Sequence, residues 1–294
     1  LWESPITNLL YTIKSFANYN MSFEILYLGE YYNIKNLPWH YIPVWIFATT
    51  PIIFLIFFFI GFTSTAILFS QNFLNLTKKN KLLKNLNQKK DFFIFFFFLI
   101  PIFLVIFLNS TLYTGWRHLY FIFPSLTYFI AIGIRFVNTK KNFKPYLKSI
   151  SAVILLSLTV NTYNIIKLHP YQNIYFNFLF EKKANELFEI DYWGLGNVEA
   201  LNFINNNRDI GEKVDLKIAS FTPLEYSNLI LNESILNDFS FIGTSEKDLK
   251  YIFTNFIFNK NPKYERKYFI PKNYDKIFSL KRGNIIINEV YKKR

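Results

Sequence analysis

Two stretches of this chain, 36–77 and 92–110, contain no Lys, Arg, Asp or Glu. An α-helix rises about 1.5 Å per residue, so roughly 20 apolar residues cross a ~30 Å hydrocarbon core. Both stretches hold runs of that length, and two more follow in 119–137 and 150–168. The chain is 51% hydrophobic yet 18% charged, and these two figures agree only if the classes are segregated along the sequence. We therefore expect a membrane α-helical protein of about four transmembrane helices, with spans near 44–69, 92–108, 119–137 and 150–168.

The lysines predict an orientation. The connection at 71–91 carries Lys78, Lys79, Lys81, Lys84, Lys89 and Lys90, and that at 138–148 carries Lys140, Lys141, Lys144 and Lys148. The connection at 109–118 has only Arg117, and residues 1–43 have only Lys14 and Lys35. Positive residues favour cytoplasmic loops, so both lysine-rich connections are expected in the cytoplasm. The first segment, the Arg117 connection and everything after the last span then fall on the other side. The net charge of +13 is accounted for in large part by these loops, and no basic, aromatic-interleaved soluble module points to nucleic acid.

Residues 1–43 read as an extracytoplasmic loop segment that ends in Leu37-Pro38-Trp39-His40-Tyr41-Ile42-Pro43, suited to an interface. Pro51 is expected in the first turns of the first span, where its missing N–H costs little. From residue 169 to 294 the composition becomes that of a small α/β or α+β extracytoplasmic domain. Its signals are an amphipathic helix at 196–206, strands at 216–221 and 251–258, and a hairpin at 276–291 turning at Lys281-Arg282-Gly283. Residues from about 180 onward are expected to fold by themselves, with 169–177 lying against the membrane face.

Enzyme signatures of soluble proteins, such as a P-loop, G-x-G-x-x-G or H-E-x-x-H, are not found. The chain has no cysteine, which removes disulfide and thiolate chemistry. His40, His118 and His169 are far apart without ligand spacing, so no metal site is assigned and no cofactor is identified; a divalent metal has no support in the sequence. Arg117 stands at a helix mouth on the sparsely charged side, between Trp116 and His118. A guanidinium there suits either a lipid phosphate or a role as an interface anchor.

The stretch Gly115-Trp116-Arg117-His118-Leu119-Tyr120-Phe121-Ile122-Phe123-Pro124 resembles the Arg-aromatic-Pro segment of multi-spanning glycosyltransferases of the protein-O-mannosyltransferase and aminoarabinose-transferase type. The segment 37–43 leading into Thr49-Thr50-Pro51 is similar to them as well. So are His169-Pro170-Tyr171-Gln172 with Tyr175-Phe176-Asn177, and Asp191-Tyr192-Trp193-Gly194. The resemblance covers roughly 25–205 and matches the C-terminal part of such proteins. It implies a GT-C architecture in a bacterial inner membrane and cell envelope, with a polyprenyl-phosphate sugar as donor and an extracytoplasmic acceptor. It also implies Arg117 and His118 at the lipid phosphate and Trp39, His40, Tyr41, Trp116, Tyr171 and Asp191 in the substrate region.

The chain departs from that family at its catalytic carboxylate, which in the family lies in the first external loop after the first membrane helix. No span is expected before residue 44, and Glu3, Glu24 and Glu30 do not form that acidic motif. The catalytic base is therefore unassigned. Leu1 as first residue, with Met21 the single methionine, fits an incomplete or trimmed copy of a longer protein. Activity is then expected only with an N-terminal region or an N-terminal partner chain. The alternative is a non-enzymatic membrane scaffold or subunit whose extracytoplasmic domain binds a partner. Asp191 itself reads either as a site residue or as a cap of the following fold.

Overall fold

In the computed structural model, the described residues are 4–17, 22–75, 83–224, 226–227, 238–243 and 249–294. Lys78, Lys79 and Lys81 of the first basic connection lie outside them. Four helical stretches are long and apolar enough to cross a membrane: Ile52–Leu74, Leu86–Phe107, Arg117–Thr139 and Lys141–Leu168. A C-terminal domain with a mixed five-stranded sheet follows. The expected architecture holds, and the differences lie in where its elements begin and end.

The first expected span is two helices. Helix α2 (Tyr41–Thr49) stops at Thr50, and α3 (Ile52–Leu74) starts after Pro51, which occupies its N-cap. Proline has no N–H to donate and pushes the preceding residue to extended backbone, and Thr50 is extended. The carbonyls freed at the break are taken up by Asn177. Its side-chain amide donates to Phe47 O (2.6 Å) and Thr50 O (3.1 Å), and its backbone N–H donates to Ala48 O (2.9 Å).

Helix α3 packs against α5 (Phe123–Thr139) along a stripe of Phe58, Gly61 and Thr65 against Leu126, Phe129 and Gly133. A Cβ on Gly61 would overlap the carbonyl of Phe129, and one on Gly133 would overlap that of Phe57. The two backbones therefore touch, as small residues permit between membrane helices. Helix α4 (Leu86–Phe107) joins through rings: Phe62–Phe95 centroids are 4.8 Å apart and Phe58–Phe98 5.3 Å. Helix α6 (Leu147–Leu168) contributes no buried residue at all.

The segment 1–43, expected as loop, contains helix α1 (Pro5–Ala17) and a hairpin of β1 (Glu24–Tyr27) and β2 (Glu30–Asn33). That hairpin caps one end of the bundle. Tyr27 bridges to Phe188, and Gly29 N donates to Leu187 O at the end of the one-turn helix α7 (Ala184–Leu187). The last span ends at Leu168 as expected, but the core does not divide there. Tyr27, Tyr41, Trp45, Tyr171, Phe176, Phe188 and Ile287 are buried in one cluster with Phe58, Phe98 and Phe129 of the spans.

The sheet runs β4-β3-β5-β7-β6. Strand β3 (Val214–Ile218) pairs in parallel with β4 (Phe239–Ile242) and β5 (Tyr251–Thr254), whereas β7 (Ile285–Lys293) pairs antiparallel with β5 and with β6 (Tyr274–Arg282). Helix α8 (Asn197–Asn207) lays Ala200, Leu201 and Ile204 on Leu216, Phe253 and Val290. The expected hairpin is present with slightly longer arms. Its tip residues Leu280, Ile285 and Ile287 belong to the bundle-capping core, so a 180–294 fragment would expose part of that core. The expected strand 251–258 ends at Thr254, because Phe256 and Phe258 take positive φ (68° and 64°).

Candidate functional site

The site forms where residues 113–117 lie across the break between α2 and α3. Gly115 has φ +80°, a turn that a side chain would resist. Four hydrogen bonds pin this segment. Gly115 N donates to Tyr41 Oη (3.1 Å), which donates to Tyr113 O (3.2 Å), and Trp116 Nε1 donates to Thr49 Oγ1 (3.1 Å). The fourth comes from Thr114, whose hydroxyl donates to Glu189 Oε2 (2.6 Å). Tyr41 and Trp116 are thus buried scaffolding of the loop, rather than surface groups.

Arg117 follows this pinned segment. Its guanidinium carbon lies 4.9 Å from the Tyr113 ring centroid, 4.9 Å from Trp193 and 5.4 Å from Tyr192. It is half-buried, and among the described residues no carboxylate pairs with it. Aromatic faces hold a guanidinium by cation–π attraction without occupying its N–H fork. The fork thus stays free for an anion. His118 is exposed and stands edge-on to the same Tyr113 ring at 4.9 Å.

Beside this cluster is a largely apolar cavity of about 740 Å³. Its walls include Phe54 of α3, Phe123 and Leu126 of α5, and Ile165 of α6; its roof includes Gly115, Trp116, Asn173 and Tyr192. Tyr192 is shared between the two features, lining the cavity and carrying Arg117. The gap exists because α6 does not bury itself against the α3–α5 seam.

The other expected site residues fall into three groups. Trp39 is exposed and edge-on to His40, whose Nδ1 is 2.6 Å from Tyr27 Oη. They do not line the cavity. Tyr171 is buried and donates to Glu199 Oε1 (2.6 Å), with Arg282 4.9 Å from its ring centroid and 3.3 Å from the same carboxylate. That triad clamps α8 and β6 to the end of α6. Asp191 is fully buried and accepts the N–H groups of Leu195 and Gly196, both at 2.9 Å, in the turn that starts α8. Burial pushes its pKa up, and those N–H groups hold it down. Its carboxylate is thus engaged by the turn that leads into α8, whose own N-cap, Gly196, has no side-chain cap bond.

Sequence reasoning missed Glu189, Tyr192, Trp193 and Asn173. The two aromatics and Asn173 lie in or beside the quoted motifs but carried no chemical signal of their own. Glu189 had none, since a lone acid two residues before Asp191 looks like surface. It is buried, accepting from Thr114 and, at 3.4 Å, from Leu26 N, and burial raises its pKa to about 7. Among the described residues, no group of three or more His, Cys, Asp or Glu side chains gathers into a metal site.

Comparison of the chain with protein-family profiles, curated proteins and solved structures returns no match.

Proposed function

We propose that this chain is the carrier-binding, C-terminal part of a lipid-linked-sugar glycosyltransferase, with the sheet domain on the extracytoplasmic face of a bacterial inner membrane. One observation carries the reading. A lipid-sized apolar cavity between spans shares a wall, Tyr192, with a guanidinium whose fork is free. A polyprenyl chain suits the cavity, and the phosphate suits Arg117 through bidentate, charge-assisted hydrogen bonds. The four-motif resemblance to GT-C enzymes points the same way.

The chemistry divides accordingly. Transfer from a polyprenyl phosphate needs stabilisation of the departing phosphate and a base for the acceptor proton. Arg117 supplies the first, and His118 adds a second polar group at the same ring. The second is not supplied by the acids nearest the loop, because Asp191 is held by the N–H groups of the turn before α8 and Glu189 is enclosed beneath Thr114. The base is then contributed from outside these motifs, as the resemblance implies. The same two acids favour the alternative, a non-enzymatic subunit that binds a lipid or an envelope partner without transferring anything.

The test is binding of polyprenyl phosphate to the full chain in nanodiscs. Arg117→Ala should weaken binding by on the order of tenfold or more, since a hydrogen bond to a charged group contributes about 1.5–3 kcal/mol. Arg117→Lys keeps the charge, loses the fork and should fall between. Arg135→Ala, exposed on α5, should match the parent. Equal binding by Arg117→Ala and the parent would leave Arg117 an interface anchor. Orientation is tested separately on the cysteine-free background. A cysteine at exposed Trp39 should react with an impermeant thiol reagent in intact cells, and one at exposed Lys84 should not. The reverse pattern would remove the extracytoplasmic reading.

A further inference from the structure

Helix α1 is amphipathic, and its apolar side is uncovered. The apolar residues recur at Ile6, Leu9, Leu10, Ile13 and Phe16, a spacing that gathers them into one stripe of a helix. Thr7, Asn8, Tyr11 and Lys14 fall on the remaining surface. Among the described residues nothing covers the stripe: Ile6 is 74% exposed, Leu9 52% and Leu10 61%. The half-buried positions, Asn8 and Thr12, are on the polar side, where the Thr12 hydroxyl donates to Asn8 O (2.7 Å). A helix on a protein in water turns its apolar stripe toward the core. Here the stripe faces away from the protein.

The fold puts a bilayer within reach of it. Phe23, six residues beyond Ala17, stacks on Tyr113 at 5.6 Å. Tyr113 lies four residues before the span that begins at Arg117. Six residues of fully extended chain reach about 20 Å, so the end of α1 is tethered within about that distance of the mouth of a span. The 13 residues of α1 make about 20 Å of helix, too short to cross a ~30 Å hydrocarbon core. An apolar stripe on a short helix beside a membrane fits the plane of the interface.

We propose that α1 docks on the lipid surface beside the spans, lying flat with Ile6, Leu9 and Leu10 inserted among the acyl chains, on the side of the membrane that bears the sheet domain. Lys14 is the only charged residue in the sequence of α1, so apolar area rather than anionic lipid holds it. An anchor there ties the β1–β2 hairpin to the membrane surface. Through Leu26 N on Glu189, and Glu189 on Thr114, it also steadies the pinned Gly115 loop. This docking depends on the spans and is independent of carrier binding.

The chain has no cysteine, so single nitroxide labels can be placed along α1 of the full chain in nanodiscs of phosphatidylethanolamine and phosphatidylglycerol. Power saturation then compares collisions with oxygen, which concentrates in lipid, and with a water-soluble nickel chelate. Labels at Ile6→Cys, Leu9→Cys and Leu10→Cys should favour oxygen, at similar depths. Labels at Thr7→Cys and Tyr11→Cys should shift to the chelate. The same pattern should persist in nanodiscs of phosphatidylcholine alone. Contact with the chelate at all five positions overturns the proposal, and so does loss of the pattern in phosphatidylcholine. A stripe shielded from both reagents overturns it in favour of a protein partner or a second copy. Oxygen contact that rises steadily along α1 on every side overturns it in favour of a helix that crosses the membrane.

Discussion

Helices α3 and α6 are both apolar spans, and they are packed in opposite ways. Helix α3 meets α5 so closely that neither Gly61 nor Gly133 has room for a Cβ. Helix α6 buries nothing, with Leu155 66% and Leu156 65% exposed. Helix α3 is the more hydrophobic, with mean hydropathy 2.6 against 1.5 for the Lys141–Leu168 stretch, but that does not explain the packing, because lipid tails are as apolar as leucine and give helices no hydrophobic reason to associate. What distinguishes them is the shape of the residues at the contact. The rigid pair fixes the break at Thr50–Pro51 and the pinned Gly115 loop, while the loose helix leaves the cavity open. A site with one rigid wall and one lipid-facing wall suits a ligand that arrives from the bilayer.

The largest expected effect breaks the rigid half. Gly61→Ala forces α3 and α5 apart and should destabilise by on the order of 3 kcal/mol, toward the upper end for overpacking. Gly133→Ala should do the same. Because either methyl forces the same separation, the double variant should cost clearly less than the sum of the two. Melting in detergent checks both statements. Single variants that melt like the parent would mean the seam is not a close contact.

The second effect is a pH dependence placed in the loop that the rigid half supports. The Glu189 carboxyl has its pKa raised to about 7 by burial, from an ordinary 4.5. The unfolded chain therefore releases this proton first, and as pH rises from about 4.5 to 7 the folded state binds more protons than the unfolded one. Stability from this group falls across that window and is level above it. At about 1.4 kcal/mol per pKa unit the loss is at most about 3.5 kcal/mol. Glu189→Gln keeps an acceptor for Leu26 N and removes the titration. It should flatten the slope between pH 4.5 and 7 and be more stable than the parent above pH 7. A parent whose melting temperature is level across that window would contradict the assignment.

How much of this was legible in sequence follows the same division. The spans were, since hydropathy reports an average over many residues, and so was the β6–β7 hairpin, with its alternating arms around Gly283. The split between α2 and α3 was not. Residues 44–69 carry no charge, so no polar–apolar period marks a boundary, and the amide that stabilises the break comes from Asn177, over a hundred residues away. Helix α1 was missed inside a segment read as loop. Arg117 was found because a lone charge on a sparse loop is conspicuous. Glu189 was not, because what sets it apart is burial, a property of the assembled walls rather than of neighbouring letters.

The smallest expected effect sharpens the contrast from the loose side. Leu155 and Leu156 sit mid-way along α6 with about two-thirds of their surface uncovered by protein. Truncating either to alanine removes contacts with lipid tails, which other lipid replaces, and creates no cavity inside the protein. Each change should therefore stay within about 0.5 kcal/mol, as for substitutions away from packed features. The matched control is Leu126→Ala on α5, fully packed at the seam, where lost burial and a residual void should cost about 2–5 kcal/mol. Leu126 also lines the cavity, so that variant should enlarge it as well as weaken the bundle. A cost at Leu155 or Leu156 approaching that at Leu126 would show that a further surface covers α6, either from another chain or from a segment beyond the described residues. The cavity would then be enclosed rather than open to lipid, and lateral arrival of a carrier would have to be given up.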